Sequence, residues 1–229
     1  MNTLNWLTQR TERKKDKAAL HQFIQQLYWG ENLLVPQAIR QLEQNVVELT
    51  QDGQHLANGL LITANGYILT AEHCIQRSNR LYAQNNQAFL IEKVCAADSR
   101  NEIALVKANI SAESTTLEYR FYNSTLLKRL ERKPVALLTR INGKIVRKYG
   151  LMEHASVNTT TSNNGKNCNY DDQILLSLDS APGDSGGVVA SDDGRIIGFH
   201  SGYNGQQHKG VEVKLFKALE LVSAYLRTL

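Results

Sequence analysis

Ser185 lies in a segment that suits acyl-transfer chemistry. The segment reads Ala-Pro-Gly-Asp-Ser-Gly-Gly (residues 181–187) and joins two stretches with strand character. Its glycines allow a tight turn, in which backbone N–H groups can converge on the oxyanion of a tetrahedral intermediate. An ordinary glycine-rich turn is the alternative interpretation.

A histidine and a carboxylate with matching chemistry precede this serine. His73 follows a strand pattern in Thr-Ala-Glu-His-Cys (residues 70–74), and its imidazole can take a proton from a hydroxyl and return it to a leaving group. Glu102 leads into the buried pattern Ile-Ala-Leu-Val, where a carboxylate can orient an imidazole and stabilise its protonated form. Asp98 is the alternative acid. The residue types therefore favour Ser185 as nucleophile, His73 as base and Glu102 as orienting acid.

Hydrophobic spacing predicts a helical region over residues 1 to about 50. Apolar residues share one helical face between Glu12 and Trp29, namely Leu20, Phe23, Ile24, Leu27 and Tyr28. Pro36 suits the first turn of a second helix, whose pattern continues through Val46. A last helix is predicted over residues 213–226.

Short strands are predicted from about residue 53. Asn65-Gly66 and Asp193-Gly194 stand between strand patterns and indicate two hairpins. Further strand patterns cover residues 88–94, 135–141, 145–152 and 173–178, which favours a β-sandwich or barrel. The polar stretch 158–169 predicts an exposed, mobile loop.

Composition argues against several classes of function. The net charge of +4, from 26 basic and 22 acidic residues, is spread along the chain and predicts no nucleic-acid partner. We find no apolar stretch typical of a signal peptide or a membrane span, and expect no membrane partner. Cys74, Cys95 and Cys168 lack metal-ligand spacing and form no disulfide framework. We therefore expect no metal or cofactor and a reducing, cytoplasmic location, although leaderless export would leave the same pattern.

Taken together, the three motifs resemble those of the chymotrypsin/trypsin superfamily. Thr-Ala-Glu-His-Cys is similar to its Thr-Ala-Ala-His-Cys block, Glu-Ile-Ala-Leu to its Asp-Ile-Ala-Leu block, and Gly-Asp-Ser-Gly-Gly to its nucleophile block. The order histidine, acid, serine is the one this superfamily uses. The short spacing between the histidine and the acid resembles that of bacterial members such as the HtrA proteases.

The resemblance covers residues 53–229 and implies a mainly β fold. We expect two six-stranded antiparallel β-barrels that meet near residues 120–134, with the site between them and a C-terminal helix. Residues 1–52 would form an N-terminal helical extension. No Ile-Val-Gly-Gly activation sequence precedes the barrels, so these helices can support the site, block it or bind a regulatory partner, with simple packing favoured.

The resemblance also implies roles for the residues of the nucleophile segment. The N–H groups of Gly183 and Ser185 would form the oxyanion hole, and Asp184 would be structural. The substrate would be a polypeptide. Two features depart from the usual pattern: glutamate replaces aspartate at residue 102, and Asn58 stands where the disulfide partner of Cys74 is expected.

Two signals predict different substrate preferences. His200, in Gly-Phe-His-Ser-Gly, resembles the pocket wall of bacterial glutamyl endopeptidases, where Ser180 and Ser201 would add hydroxyl groups and Glu or Gln would bind. Asp179 instead matches the pocket floor of trypsin-like enzymes and predicts Arg or Lys; it could also pair with His200 and cancel both signals. We favour Glu or Gln, because a whole segment matches. The remaining histidines are predicted to be surface or packing residues: His21, His55, His154 and His208.

The sequence thus predicts a serine endopeptidase. Two alternatives are a catalytically silent relative that uses its cleft to bind peptides as a scaffold, and a latent enzyme. The latent enzyme would wait for a partner to remodel residues 158–169 or displace the N-terminal helices.

Overall fold

A computed structural model describes residues 3–29, 34–75, 81–84, 87–110, 117–163, 166–204 and 209–229. The α-helices are α1 (Thr3–Trp29), α2 (Val35–Asn45), α3 (Glu72–Ile75) and α4 (Leu215–Leu226), with a 3-10 helix at Ser124–Leu130. The strands are β1 (Val46–Gln51), β2 (Gln54–Leu61), β3 (Tyr67–Ala71), β4 (Tyr82–Gln84), β5 (Ala88–Asp98), β6 (Ile103–Ala108), β7 (Arg120–Phe121), β8 (Pro134–Ile141), β9 (Lys144–Asn163), β10 (Lys166–Ser177), β11 (Val188–Ser191), β12 (Arg195–Asn204) and β13 (Lys209–Lys214).

The N-terminal helix packs onto the barrels through the face that its spacing predicted. Leu20 and Phe23 are fully buried, and the Phe23 ring meets Phe121 edge-on with ring centroids 5.4 Å apart. The side chains of Leu27 and Tyr28 lie outside the described part of the chain. Asp16 pairs with Lys107 of β6 at 3.0 Å, so α1 is attached to the first barrel by an ion pair as well as by its apolar face.

Helix α2 ends at Asn45, one residue before the end predicted from spacing. Val46 instead begins β1, a barrel strand that lies within the region predicted to be helical. The segment Val-Val-Glu-Leu-Thr carries three β-branched residues and pairs with β2 on one side and β4 on the other. Because these residues are almost all buried, pairing and packing outweigh the helical spacing.

Two six-stranded antiparallel barrels form the body of the protein, which confirms the predicted mainly β fold. The first has the strand order β1-β2-β3-β6-β5-β4 and is closed. The second has the strand order β11-β8-β9-β10-β13-β12 and is closed by pairing between β11 and β12. The short strand β7 pairs with β12 in parallel. Both predicted hairpins are present, with Gly66 and Gly194 in the left-handed region at φ of 102° and 76°.

The prediction of a loop over residues 158–169 is wrong for the described part of this stretch. Residues 158–163 belong to β9 and residues 166–169 to β10, and the two strands pair from Lys166↔Asn163 onward. The stretch is rich in threonine, which fits a pleated strand, and strand pairing satisfies its backbone groups. Polar composition therefore did not distinguish a pair of strands from a loop.

The C-terminal helix is confirmed, although it begins at Leu215. Val213, predicted to be helical, belongs to β13 and pairs with Phe199 of β12. The apolar face of α4 is buried as its spacing predicted, at Leu215, Leu219, Val222 and Leu226. These side chains share one core cluster with Leu20 and Phe23, so both terminal helices close the same side of the molecule.

Candidate active site

Strand pairing brings His73 and Glu102 to the same end of the first barrel. Strands β3 and β6 are neighbours, and Ala71 pairs with Ile103. His73 follows β3 in the short helix α3, whereas Glu102 immediately precedes β6. Both side chains therefore extend from adjacent strand ends. Ser185 reaches them from the turn that leads into β11 of the second barrel.

The three side chains form a continuous chain of hydrogen-bond contacts. His73 Nε2 lies 3.0 Å from Ser185 Oγ, and His73 Nδ1 lies 2.8 Å from Glu102 Oε2. A carboxylate only accepts hydrogen bonds, so Nδ1 carries the proton that it donates to Glu102, and Nε2 is left to accept the serine proton. In this arrangement a hydroxyl could pass its proton to the imidazole while the carboxylate orients the ring.

Glu102 is held in an unusual backbone conformation. Its φ of 54° lies in the left-handed region, which non-glycine residues seldom adopt. Its carbonyl oxygen accepts a hydrogen bond from Glu72 N at 3.2 Å, and its side chain is buried. The alternative acid, Asp98, has different partners: it accepts hydrogen bonds from Arg100 N and Asn101 N and shapes the turn before Glu102.

The environment of His73 favours the protonated imidazole. Burial alone lowers the pKa of His73, but hydrogen bonds to Cys74 and Glu102 and the negative charge of Glu102 outweigh it. The pKa of His73 therefore lies above its ordinary value. The base needs a pH above that of a free histidine to be neutral and able to accept a proton.

The nucleophile loop is closed by its own backbone hydrogen bonds. Asp184 N donates to Ala181 O at 3.0 Å, and Gly187 N donates to Asp184 O at 2.9 Å. Gly183 adopts a φ of 99°, which requires glycine. Among the described residues, no acceptor binds the N–H groups of Gly183 and Ser185. These two donors are therefore available to an oxyanion.

Asp184, next to the nucleophile, is buried and neutralised. Its Oδ2 lies 2.6 Å from Lys148 Nζ on β9 and accepts a hydrogen bond from Ala181 N at 2.7 Å. The side chain is 2% exposed, so the ammonium group compensates a charge that water cannot reach. Sequence reasoning identified Asp184 as structural but did not identify Lys148.

His200 lies beside the nucleophile loop. Gly186 N donates to His200 O, and His200 N donates to Gly187 O, at 2.7 and 2.8 Å. Its ring contacts the start of the loop, with Nε2 2.7 Å from Ser180 Oγ. Behind the ring, Nδ1 lies 2.9 Å from Oε1 of Glu212, a fully buried carboxylate that sequence reasoning missed. Ser180 and His200, predicted to bind substrate, are therefore in direct contact.

The other two residues assigned to the substrate pocket are arranged differently. Ser201 is buried and donates its hydroxyl proton to Val211 O at 3.0 Å, so this proton is not free for a substrate. Asp179 is exposed. It does not pair with His200, whose two ring nitrogens already contact Glu212 and Ser180.

A family model described as a trypsin-like peptidase domain matches residues 57–199, which include the motifs of His73, Glu102 and Ser185. The chain belongs to this family. It is a serine protease of the chymotrypsin type, and the architecture of the two barrels agrees with that assignment.

Solved structures of bacterial proteases share the fold of this protease. The HtrA-type protease AlgW with a decapeptide matches with a TM-score of 0.64 and 14% identity over 85% of this chain and 68% of that chain. An inactive form of Rv3671c from M. tuberculosis matches with a TM-score of 0.62 and 14% identity, over 82% and 89% of the two chains. The MamO protease domain from Magnetospirillum magneticum matches with a TM-score of 0.60 and 17% identity, over 79% and 96%. No protein with a curated description matches the sequence.

The described residues contain neither a membrane-spanning helix nor a metal-binding cluster. No helix there combines the length and apolar character needed to cross a membrane. Nor do these residues contain a group of three or more histidine, cysteine or acidic side chains arranged to hold a metal ion.

One histidine outside the motifs proves to touch the site. His55 was predicted to be a surface or packing residue, but its Nε2 lies 3.0 Å from Gly183 O. His21 and His154 are exposed, as predicted, and His208 lies outside the described residues. His55 and Glu48 lie on one face of the β1–β2 pair. No local motif indicates this contact, because it depends on how the two barrels meet.

Proposed function

We propose that this protease hydrolyses internal peptide bonds of polypeptides through an acyl-enzyme on Ser185. The observation that carries the proposal is the continuous contact from Ser185 Oγ through the His73 imidazole to the Glu102 carboxylate. Every group that acyl transfer needs is supplied by the chain itself, so the reaction requires no metal or organic cofactor.

In the proposed first step, Ser185 Oγ attacks the peptide carbonyl carbon while its proton passes to His73 Nε2. The carbonyl oxygen becomes an oxyanion and accepts hydrogen bonds from the N–H groups of Gly183 and Ser185. Glu102 stabilises the imidazolium through Nδ1. His73 then gives its proton to the departing amine as the C–N bond breaks, and an ester on Ser185 remains.

Water completes the cycle by hydrolysing the ester, and the same groups of the protein assist this second step. His73 takes a proton from the water molecule, whose oxygen attacks the ester carbonyl, and the second oxyanion occupies the same site. The C–O bond to Ser185 breaks, and His73 returns the proton to Ser185 Oγ. The products are a peptide with a new carboxylate and an unchanged enzyme.

We further propose that the protease prefers Glu or Gln before the scissile bond. Ser180 and His200 lie in contact beside the nucleophile loop, and both can hydrogen-bond a carboxylate or carboxamide. Glu212 contacts Nδ1 of His200 and thereby fixes the orientation of the ring, so that Nε2 faces Ser180. Asp179, the residue that would select Arg or Lys, is exposed and does not contact the ring nitrogens of His200.

A reducing compartment such as the cytoplasm is the proposed place of action. Cys74 and Cys95 are free thiols, and the buried Asn58 occupies the position where a disulfide partner for Cys74 was expected. The side chain of Cys168 lies outside the described residues. Fractionation of cells that make the protein should recover it with cytosolic markers; recovery with secreted proteins would contradict the location. A regulatory partner on the N-terminal helices stays a prediction.

A peptide library tests the activity and the preference together. The protein is incubated with a mixture of unmodified peptides, and the new termini are identified by mass spectrometry, with Ser185→Ala as the matched control. We expect cleavage by the unmodified protein alone, with Glu and Gln enriched before the cleaved bond. Enrichment of Arg and Lys would favour Asp179, and a folded protein that cleaves nothing would favour a latent or silent protein.

A further inference from the structure

A second histidine–glutamate pair contacts the nucleophile loop from the first barrel. His55 Nε2 lies 3.0 Å from Gly183 O, and His55 Nδ1 lies 2.9 Å from Glu48 Oε1. Glu48 is 3% exposed. Neither side chain takes part in the reaction proposed above. A buried carboxylate and a histidine at this place therefore require a separate explanation.

The partners of Glu48 show that it acts as a carboxylate. Its two oxygens accept hydrogen bonds from Asn142 N at 3.0 Å and Gly143 N at 2.9 Å, the turn between β8 and β9. The positive charge of Arg140 interacts with Glu48, and its guanidinium donates to the carbonyl of Gly143 in the same turn. These donors fix the position of the Glu48 carboxylate beside His55.

His55 is held between two oxygen atoms of different parts of the molecule. One ring nitrogen faces the Glu48 carboxylate on β1, and the other faces the carbonyl oxygen of Gly183. The ring therefore links the first barrel directly to the nucleophile loop.

His55 contacts a peptide group that is important for the oxyanion hole. The carbonyl of Gly183 accepts from His55 Nε2 and from Asn58 Nδ2 at 2.8 Å, while the N–H of the same peptide, on Asp184, donates to Ala181 O. The peptide is thus held at both ends. Glycine has little conformational preference of its own, so external hydrogen bonds must hold Gly183 at its φ of 99°.

We propose that His55, held by Glu48, is a positioning residue that keeps Gly183 in the conformation that binds the oxyanion. The inference rests on the proposed function, because the oxyanion is that of acyl transfer.

Two substitutions of His55 test the positioning role. Leucine removes the donor, whereas the amide of glutamine can still donate to Gly183 O. We expect His55→Leu to lower kcat between about 10- and 100-fold with little change in KM, since loss of one oxyanion donor costs about 10²–10³-fold. His55→Gln should keep kcat within a few-fold of the unmodified enzyme.

Controls separate this inference from the proposed function and from misfolding. His21→Leu, at an exposed histidine on α1, should keep the kcat of the unmodified enzyme. Thermal unfolding checks that each variant is folded. Full activity of folded His55→Leu, or a loss of kcat in His55→Gln as large as in His55→Leu, would overturn the positioning role alone. A protein without any hydrolytic activity would instead contradict the proposed function.

Discussion

Lys148 Nζ lies 2.6 Å from Asp184 Oδ2, so a lysine of the second barrel neutralises the carboxylate next to Ser185. The same Oδ2 accepts a hydrogen bond from Ala181 N, at the beginning of the nucleophile loop. The ion pair therefore links β9 to both ends of the segment that carries Gly183 and Ser185.

Replacement of Lys148 by methionine should destabilise the protein and lower its activity. Asp184 would remain buried without a compensating charge, a change that costs about 3–5 kcal/mol when both partners are buried. Lys148 is 25% exposed, so we expect a smaller loss of about 2–3 kcal/mol in the free energy of unfolding. Denaturant unfolding measures it, and kcat/KM should fall as the loop loosens.

Two further variants control this experiment. Lys144→Met, an exposed lysine on the same strand, should leave stability unchanged. The double variant Lys148→Met with Asp184→Asn should lose less stability than the sum of the single changes, because no charge is left buried. If Lys148→Met and Lys144→Met have the same free energy of unfolding, the ion pair between Lys148 and Asp184 does not contribute to stability.

Glu102→Gln should lower kcat by about 10⁴-fold, because an amide can donate to Nδ1 and so favour the wrong imidazole tautomer. Glu102 also raises the pKa of His73, so its neutralisation lowers that pKa. The base is active when neutral. The rising limb of kcat/KM against pH should therefore start above the ordinary histidine range of about 6.5 in the unmodified enzyme and move to lower pH in the variant.

The matched control for this prediction is Asp98→Asn. Asp98 accepts hydrogen bonds from Arg100 N and Asn101 N, and an asparagine oxygen can still accept them. We expect a much smaller loss of kcat and an unchanged pH limb. A larger loss in Asp98→Asn than in Glu102→Gln would assign the orienting role to Asp98.

Substitution of Glu212 should change the substrate preference rather than the chemistry. The Glu212 carboxylate contacts Nδ1 of His200 and so fixes the ring, whose Nε2 faces Ser180. Glu212→Leu removes this contact and should therefore lower kcat/KM for Glu and Gln peptides by about tenfold relative to matched Ala peptides. The rate at which a fluorophosphonate probe labels Ser185 should change little. If the relative kcat/KM stays constant while the protein remains folded, His200 does not bind the substrate side chain.

Contiguous motifs made the contact between Ser185, His73 and Glu102 predictable. His73, Glu102 and Ser185 each lie within a distinctive motif of four or five residues. The hairpin turns were also predictable, because Gly66 and Gly194 adopt a positive φ that favours glycine. Local patterns of this kind are readable before the fold is known.

The groups that surround the reacting residues were not predictable, because they meet only through strand register and barrel contacts. Glu212 lies directly opposite His200, but this pairing depends on β13, whose last residues were predicted to begin a helix. The alternation Val-Glu-Val at residues 211–213 was the sequence pattern that could have indicated a strand here. Lys148, Glu48 and His55 had no comparable local signal, since their partners lie far away in sequence.

The reactivity of Ser185 toward a fluorophosphonate probe tests the central claim most directly. The probe modifies a serine that has an activating base and an oxyanion hole, so it requires the groups of the proposed mechanism and no known substrate. We expect one label, mapped to Ser185 by mass spectrometry, that is abolished in Ser185→Ala and nearly abolished in His73→Ala. A folded, unmodified protein that takes up no label, or labelling that persists in folded His73→Ala, would contradict the account.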